Sequence, residues 1–293
     1  MSESKYERLL VRKPLYERLP GIKNRQSPVM TYMSSALVPQ SNYYLEYGWI
    51  YGIPEPNPDI REHVHDTEEI ILYFGGDPDN PEDLGGEIEY SIGGQPLTFS
   101  TSVALFIPRG LRHGPPIWKK FKKPHVEMTL VPGIGTIKND WMESPESKII
   151  RDTKQGKNVV DYEKYLVRKP IYERARGVKN RQSPTMTYLS SAQIPEANYY
   201  IEFGWIYGIP DPNPPVTQHV HAHDEIVLHF GGDPQNPEDL GGEIEVGVED
   251  ESLVFTTSTA LFAPKGVKHC PVTWKKWTKP HIEMAITLGY GKR

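Results

Sequence analysis

The stretch EHVHDTEEIILYFGG, residues 62–76, decides the fold because the chain writes it twice: residues 218–232 read QHVHAHDEIVLHFGG. His63, His65 and Glu69 return as His219, His221 and Glu225, each 156 positions later. The same offset relates NRQSPVMTYMSSA from Asn24 to NRQSPTMTYLSSA from Asn180, and YGWIYGIPEPNP from Tyr47 to FGWIYGIPDPNP from Phe203. It also relates KPHVEMTL from Lys123 to KPHIEMAI from Lys279. An ungapped repeat of this length marks a duplicated domain, since stacked solenoid repeats have periods of a few dozen residues and more copies. We place the first domain at 1–133, a linker at 134–160 and the second domain at 161–293. The linker is polar and of mixed charge, interrupted by serine and proline, and reads as a surface connector with room for a short helix.

Bulk properties agree with two domains and exclude several classes. A chain of 293 residues supplies two cores of ordinary size. Its 33 basic and 38 acidic residues give a net charge of -5, which provides no general attraction for nucleic acid or anionic lipid. No apolar run approaches the roughly 20 residues of a membrane helix, and the start MSESKYERLL has no signal-peptide character. The expectation is a soluble, cytoplasmic protein. The one cysteine, Cys270, excludes an internal disulfide framework and suits a reducing compartment.

Most of each repeat reads as strands. NYYLEYGWIYG, EIILYFGG, GEIEYSI, SVALFIP and HVEMTLV are short, aromatic or β-branched, and bounded by Gly, Pro, Asn and Asp. KYERLLVRKPLYE and KYLVRKPIYE each have room for a helical turn, stopped at Pro14 and Pro170. Gly pairs and prolines in FGGDPDNPEDLGGEIE and its copy FGGDPQNPEDLGGEIE fix turns between two strands. Each unit is therefore expected to be all-β, an antiparallel barrel or sandwich.

The chemistry lies in the histidines. On an extended strand His63 and His65 project to one face, Val64 to the other, and Glu69 keeps the parity of the two rings. A third imidazole comes from PRGLRH, where a turn at Pro108 and Gly110 presents His113; PKGVKH repeats this with Pro264, Gly266 and His269. Three neutral nitrogens and one carboxylate suit a borderline divalent metal with two coordination positions left for water, substrate or dioxygen. A barrel of merely hydrogen-bonded histidines would more readily have lost one of the set in one copy.

These motifs resemble those of the cupin superfamily, and the pair of them a bicupin. The first cupin motif is matched by His63, His65, Glu69 and Gly76, and again by His219, His221, Glu225 and Gly232. The second is matched by PRGLRH and PKGVKH. The resemblance implies two tandem jelly-roll (double-stranded β-helix) barrels. It implies one metal in each, held by His63, His65, Glu69 and His113 and by His219, His221, Glu225 and His269, residues that are also the expected catalytic centres. Departures stand at framework positions: Asn57 and Asn213 where the family opens its first motif with Gly, Ser102 and Ser258 where it opens the second, and Ile117 and Thr273 where it closes with Asn.

Other residues have quieter readings. His223 shares the parity of His219 and His221, and is expected to face solvent unless it serves as a rim acid or base. His229 is expected to be packed and hydrogen-bonded, and Cys270 to be small, buried and turned away from His269. His125 and His281 share a face with Glu127 and Glu283, either as rim or intersubunit pairs or as residues orienting a metal-bound water. The lysines of GPPIWKKFKKPH and CPVTWKKWTKPH, with Arg109, Arg112, Lys265 and Lys268, are expected near the mouth, where they either attract an anion or stay solvated. Trp49, Ile50, Tyr51, Trp205, Ile206 and Tyr207 are expected to pack the barrels or their interface.

The resemblance implies a metal-dependent enzyme acting on a small organic molecule, with an anion among the candidates, and makes a mononuclear non-haem dioxygenase the leading expectation. Fe(II) or Mn(II) is expected, with Ni, Zn, Cu or Co as alternatives. A decarboxylase, isomerase or hydrolase is the second reading, and a non-catalytic ligand- or metal-binding barrel the third. Nucleic acid and membrane are not expected partners; a homo-oligomer is compatible with paired barrels.

Overall fold

In a computed structural model the described residues are 4–136 and 160–292. Most of the connector expected at 134–160, with its short helix, lies outside them. Among the described residues the structure is all-β apart from single 3-10 turns at Glu7–Leu9 and Tyr162–Tyr165, where the sequence placed a helical turn in each copy. It divides into two compact units.

One unit comprises Tyr16–Gly75 and Glu82–Arg168 and is called here the first barrel. Its larger sheet runs antiparallel through Leu166–Val167, Val103–Ile107, Glu69–Gly75, His125–Pro132 and Tyr43–Glu55, with Val29–Met33 and Lys23–Arg25 beside the long strand. A three-stranded sheet of His113–Phe121, Asp83–Ile92 and Gln95–Thr101 faces it. The small sheet alternates as a half-buried sheet should: Ile88, Tyr90, Leu97 and Phe99 point inward, while Glu87 and Glu89 point outward to Lys120 and Lys119. In contrast, Glu69–Gly75 is buried on both faces, which explains its unbroken apolar run. A Cβ at Gly75 would collide with the Asp83 carbonyl oxygen, so this strand can end only in glycine before the turn. Burial of a side chain such as Ile88 or Leu97 contributes about 1.5–3 kcal/mol, and the inner face is lined with them.

The other unit, the second barrel, repeats this plan with residues up to Leu15, Gly76–Pro81 and Lys169 onward. Its larger sheet contains Leu10–Val11, Thr259–Ala263, Asp224–Gly231, His281–Leu288 and Tyr199–Asp211; its smaller sheet is Glu251–Thr257, Asp239–Val248 and His269–Trp277. The opening segments are exchanged: Leu10 pairs with Leu261 in the second barrel, and Leu166 with Leu105 in the first. The compact units are cut at places other than the limits expected from the repeat.

Candidate metal centres

Each centre is assembled by a backbone bridge. His63 and His113 exchange amide bonds at 3.0 Å in both directions, which sets their rings 4.3 Å apart. The HVH segment holds only this isolated bridge, and the regular strand begins at Glu69. Glu69 and His113 are the first residues of their strands, so the cluster sits at one end of the barrel. Glu69 Oε2 lies 2.8 Å from His113 Nε2 and 3.1 Å from His65 Nε2. The ligand atoms of His63, His65, Glu69 and His113 all lie within 4.8 Å of one another.

Tautomers follow from the outer nitrogens. Nδ1 of His63 is 2.8 Å from the Arg61 carbonyl, that of His113 2.8 Å from Leu111, and that of His65 3.1 Å from Thr67. With Nδ1–H donating to these carbonyls, three Nε2 lone pairs converge on a carboxylate. Four acceptors brought this close repel, and a divalent cation removes that repulsion. The residues therefore fit one transition-metal ion. Burial would raise the Glu69 carboxyl, but the adjoining His113 and His65 rings hold it well below the usual carboxylate range, so it is available as an anionic ligand. Burial, then the neighbouring His113, pushes His63 down to about 4, keeping it neutral and able to ligate.

The second centre repeats the geometry. His219 and His269 form the bridge, Glu225 Oε2 is 2.7 Å from His269 Nε2 and 3.3 Å from His221 Nε2, and the four ligand atoms again lie within 4.8 Å. His219 and His269 direct Nδ1 to Thr217 and Val267 carbonyls at 2.8 and 3.1 Å. It is the more open centre: the His221 side chain is 19 % exposed, against 5 % for His65. His223 is half-buried, not fully solvent-facing, because it stacks on His221 at 4.7 Å and on Tyr290 at 4.9 Å.

Several expectations change. His125 and His281 are not rim residues but fully buried; Trp118 Nε1–H donates to His125 at 3.1 Å and Trp274 Nε1–H to His281 at 2.9 Å. His229 is buried as expected, yet neither ring nitrogen has a hydrogen-bond partner. Cys270 is buried but lines a cavity beside His219, at a left-handed φ of 64° that Gly114 adopts in the first copy. Lys119 and Lys120 pair with Glu89 and Glu87 across the small sheet, and Arg109 clamps Asp66 with two 2.6 Å bonds, so these cations are spent locally. Trp49, Ile50, Trp205 and Ile206 are fully buried.

The framework departures have structural reasons. Asn57 accepts from the Trp118 amide at 3.0 Å and donates to the Trp118 carbonyl at 2.9 Å, and Asn213 does the same for Trp274. Ser102 and Ser258 accept the amides of Gly75 and Gly231 at 3.0 Å. Sequence reasoning missed a buried charged layer next to the centres. In the first barrel Arg25 pairs with Asp59 and with Glu127 at 2.7 Å, Tyr73 donates to Glu127 at 2.7 Å, and Arg18 pairs with Glu46 at 2.6 Å. Arg25 and Arg181 stood in the repeated NRQSP stretch, where a twice-written arginine beside strand residues was the available signal.

No protein-family model and no curated protein matches the sequence. Solved structures do match. AerE from Microcystis aeruginosa superposes with a TM-score of 0.52 at 11 % identity, over 94 % of this chain and 95 % of that one. Bacillus subtilis oxalate decarboxylase at pH 4.6 gives 0.56 at 10 % identity, over 90 % and 72 %. The same enzyme, in a structure concerned with its Mn(II) centres, gives 0.56 at 10 % identity, over 94 % and 79 %. The fold is that of a bicupin. At such identities the likeness carries the fold, while the two four-residue clusters are this chain's own.

Proposed function

We propose that this bicupin is a metal-dependent enzyme acting on a small organic carboxylate, with decarboxylation as the reaction class and Mn(II) or Fe(II) as the ion. The observation that carries the proposal is the pair of converging three-histidine, one-glutamate clusters, with Nδ1 of His63, His113, His219 and His269 tied back to backbone carbonyls. The relatives in fold support decarboxylation ahead of the dioxygenase expected from the motifs, since oxalate decarboxylase spans 90 % of this chain with a matching pair of barrels.

A bound divalent ion supplies a Lewis acid that polarises a carboxylate oxygen. The protein's part is to hold that ion with neutral imidazoles and to present it at the end of a barrel closed below by apolar side chains. His63, His65, Glu69 and His113 would hold one ion, and His219, His221, Glu225 and His269 the other. We further propose a cytoplasmic setting, from the sparse cysteine, and self-association as compatible with the fold.

The test is to load the protein anaerobically with Mn(II) or Fe(II), screen small carboxylates, and follow carbon dioxide and dioxygen together. Carbon dioxide release without matching dioxygen uptake is expected. Stoichiometric uptake would return the dioxygenase reading, and binding without turnover across the screen would replace the enzyme with a binding protein.

A further inference from the structure

The two barrels are not equivalent inside. In the second, a cavity of about 50 Å³ adjoins the metal cluster and is lined by His219, Glu225, Cys270, Arg181, Glu202 and Glu283. In the first, a cavity of about 30 Å³ is lined by Arg18, Arg25, Glu46, Asp59 and Glu127 and touches none of the four metal-cluster residues. Two large inner side chains also differ between the copies. Tyr73 and Tyr90 fill the first barrel, fully buried with rings 6.3 Å apart. At the same offset the second barrel has the smaller His229 and Val246.

The same exchanges remove polar partners. Asp59 is replaced by Pro215, so Arg181 keeps a single ion pair, to Glu283 at 2.8 Å, and its buried Nε has no partner. Tyr73 is replaced by His229, so Glu283 loses the hydroxyl donor that Glu127 has. His229 follows Glu225 and Val227 on the inward face of Asp224–Gly231, and sits opposite Glu283 in the ladder. Its two ring nitrogens are buried without partners. Burial, and then the Arg181 charge, push its pKa down to about 3, so the ring is neutral and offers one N–H. Leaving a buried donor unmatched is costly, and for Arg181, which lines the cavity, an acceptor entering it removes that cost.

We infer that the second barrel holds the organic ligand: a small monocarboxylate placed between the metal end at His219 and the Arg181 guanidinium on the cavity wall. The site rests on the metalloenzyme reading above and narrows it. A cavity of about 50 Å³ has room for roughly three to five water-sized groups, the size of acetate or glycolate. Glu202 and Glu283 on the wall disfavour a second carboxylate, because like charges at short range repel. Cys270 narrows the entrance on the His219 side, where the first copy has Gly114.

The test uses Mn(II)-loaded full-length protein and carbon-13-labelled acetate, reading relaxation of the acetate carbons by the ion. His113→Ala, which confines Mn(II) to the second barrel, is expected to retain the relaxation, and His269→Ala to lose it. Arg181→Gln, and the charge-balanced Arg181→Gln/Glu283→Gln pair in case the single change unfolds the barrel, are expected to weaken acetate about tenfold through loss of a charge-assisted bond. Oxalate should compete less well than glycolate. Relaxation that survives His269→Ala, or a folded Arg181 variant that binds acetate as the parent does, overturns the inference and leaves water as the cavity's occupant. Acetate binding with no turnover of any carboxylate would sink the enzyme reading alone; turnover that is indifferent to Arg181 would sink the pocket alone.

Discussion

Acidification should unfold the chain through His125 and His281, which carry no metal. Each ring is fully buried, donates Nδ1–H to a lysine carbonyl at 3.1 Å, and accepts a tryptophan N–H at Nε2. Burial pushes His125 down to about 4; burial, followed by the nearby His229, pushes His281 to about 4. An unfolded histidine titrates near 6.5, so between about pH 6.5 and 4 the unfolded chain binds more protons than the folded one. Stability is therefore complete above the unfolded value and falls as pH drops through that window. At pH 5 each ring loses about 2 kcal/mol relative to neutral pH, and the pair on the order of 4 kcal/mol. The assay is urea unfolding with EDTA at pH 7.5 and pH 5, for the parent and for His125→Gln/His281→Gln, whose amide oxygens can still accept from Trp118 and Trp274. The parent should lose roughly 1–2 M more of its urea midpoint than the variant. An equal loss in both would show that these rings are not the acid-sensitive groups.

His113→Ala and His269→Ala should each lower metal content from about two ions to about one per chain, read by elemental analysis; loss of both ions from either folded variant would contradict independent centres. Asn57→Ala should cost about 1–3 kcal/mol in thermal or urea unfolding, because it removes both bonds to the Trp118 backbone, and an unchanged midpoint would refute the clamp. Deleting residues 1–12 should expose the Thr259–Ala263 edge and promote association, seen by size-exclusion chromatography; a monodisperse product with the parent's stability would argue against the exchanged strand.

Much of the fold was legible because the repeat and the strand patterns agree. Tyr43–Glu55, Glu69–Gly75, Val103–Ile107 and His125–Pro132 fall where aromatic and β-branched runs stood between turn residues. The exchange of Leu10–Val11 and Leu166–Val167 was not legible, since two-residue strands have no periodicity and either repeat could accept them. The metal clusters could be read from spacing, because a strand-borne HxH and a turn-borne His constrain side-chain direction locally. Arg25, Asp59 and Glu127 could not: they lie in separate strands and loops, and only the fold brings a guanidinium between two carboxylates. For the same reason His125 looked like a rim residue until Trp118, seven positions earlier, was found to lie against it.

The differences between the two copies point in one physical direction. The supports are retained: both copies keep the asparagine clamp, the serine that caps the central strand, and the tryptophan–histidine pair. Three of the changes are Asp59 to Pro215, Tyr73 to His229 and Tyr90 to Val246, the last two at inward strand positions. Random loss of a buried acid would strand its arginine, and random loss of a buried hydroxyl would strand its glutamate, each a destabilising event selected against unless balanced. Here the two losses coincide with extra volume beside a metal cluster whose His221 is more exposed than its counterpart. A void alone would be a packing defect, and an orphaned Arg181 alone an electrostatic one. Together they leave a cavity that carries Arg181 on its wall beside His219 and Glu225 of the metal cluster, which a packing defect alone would not bring about.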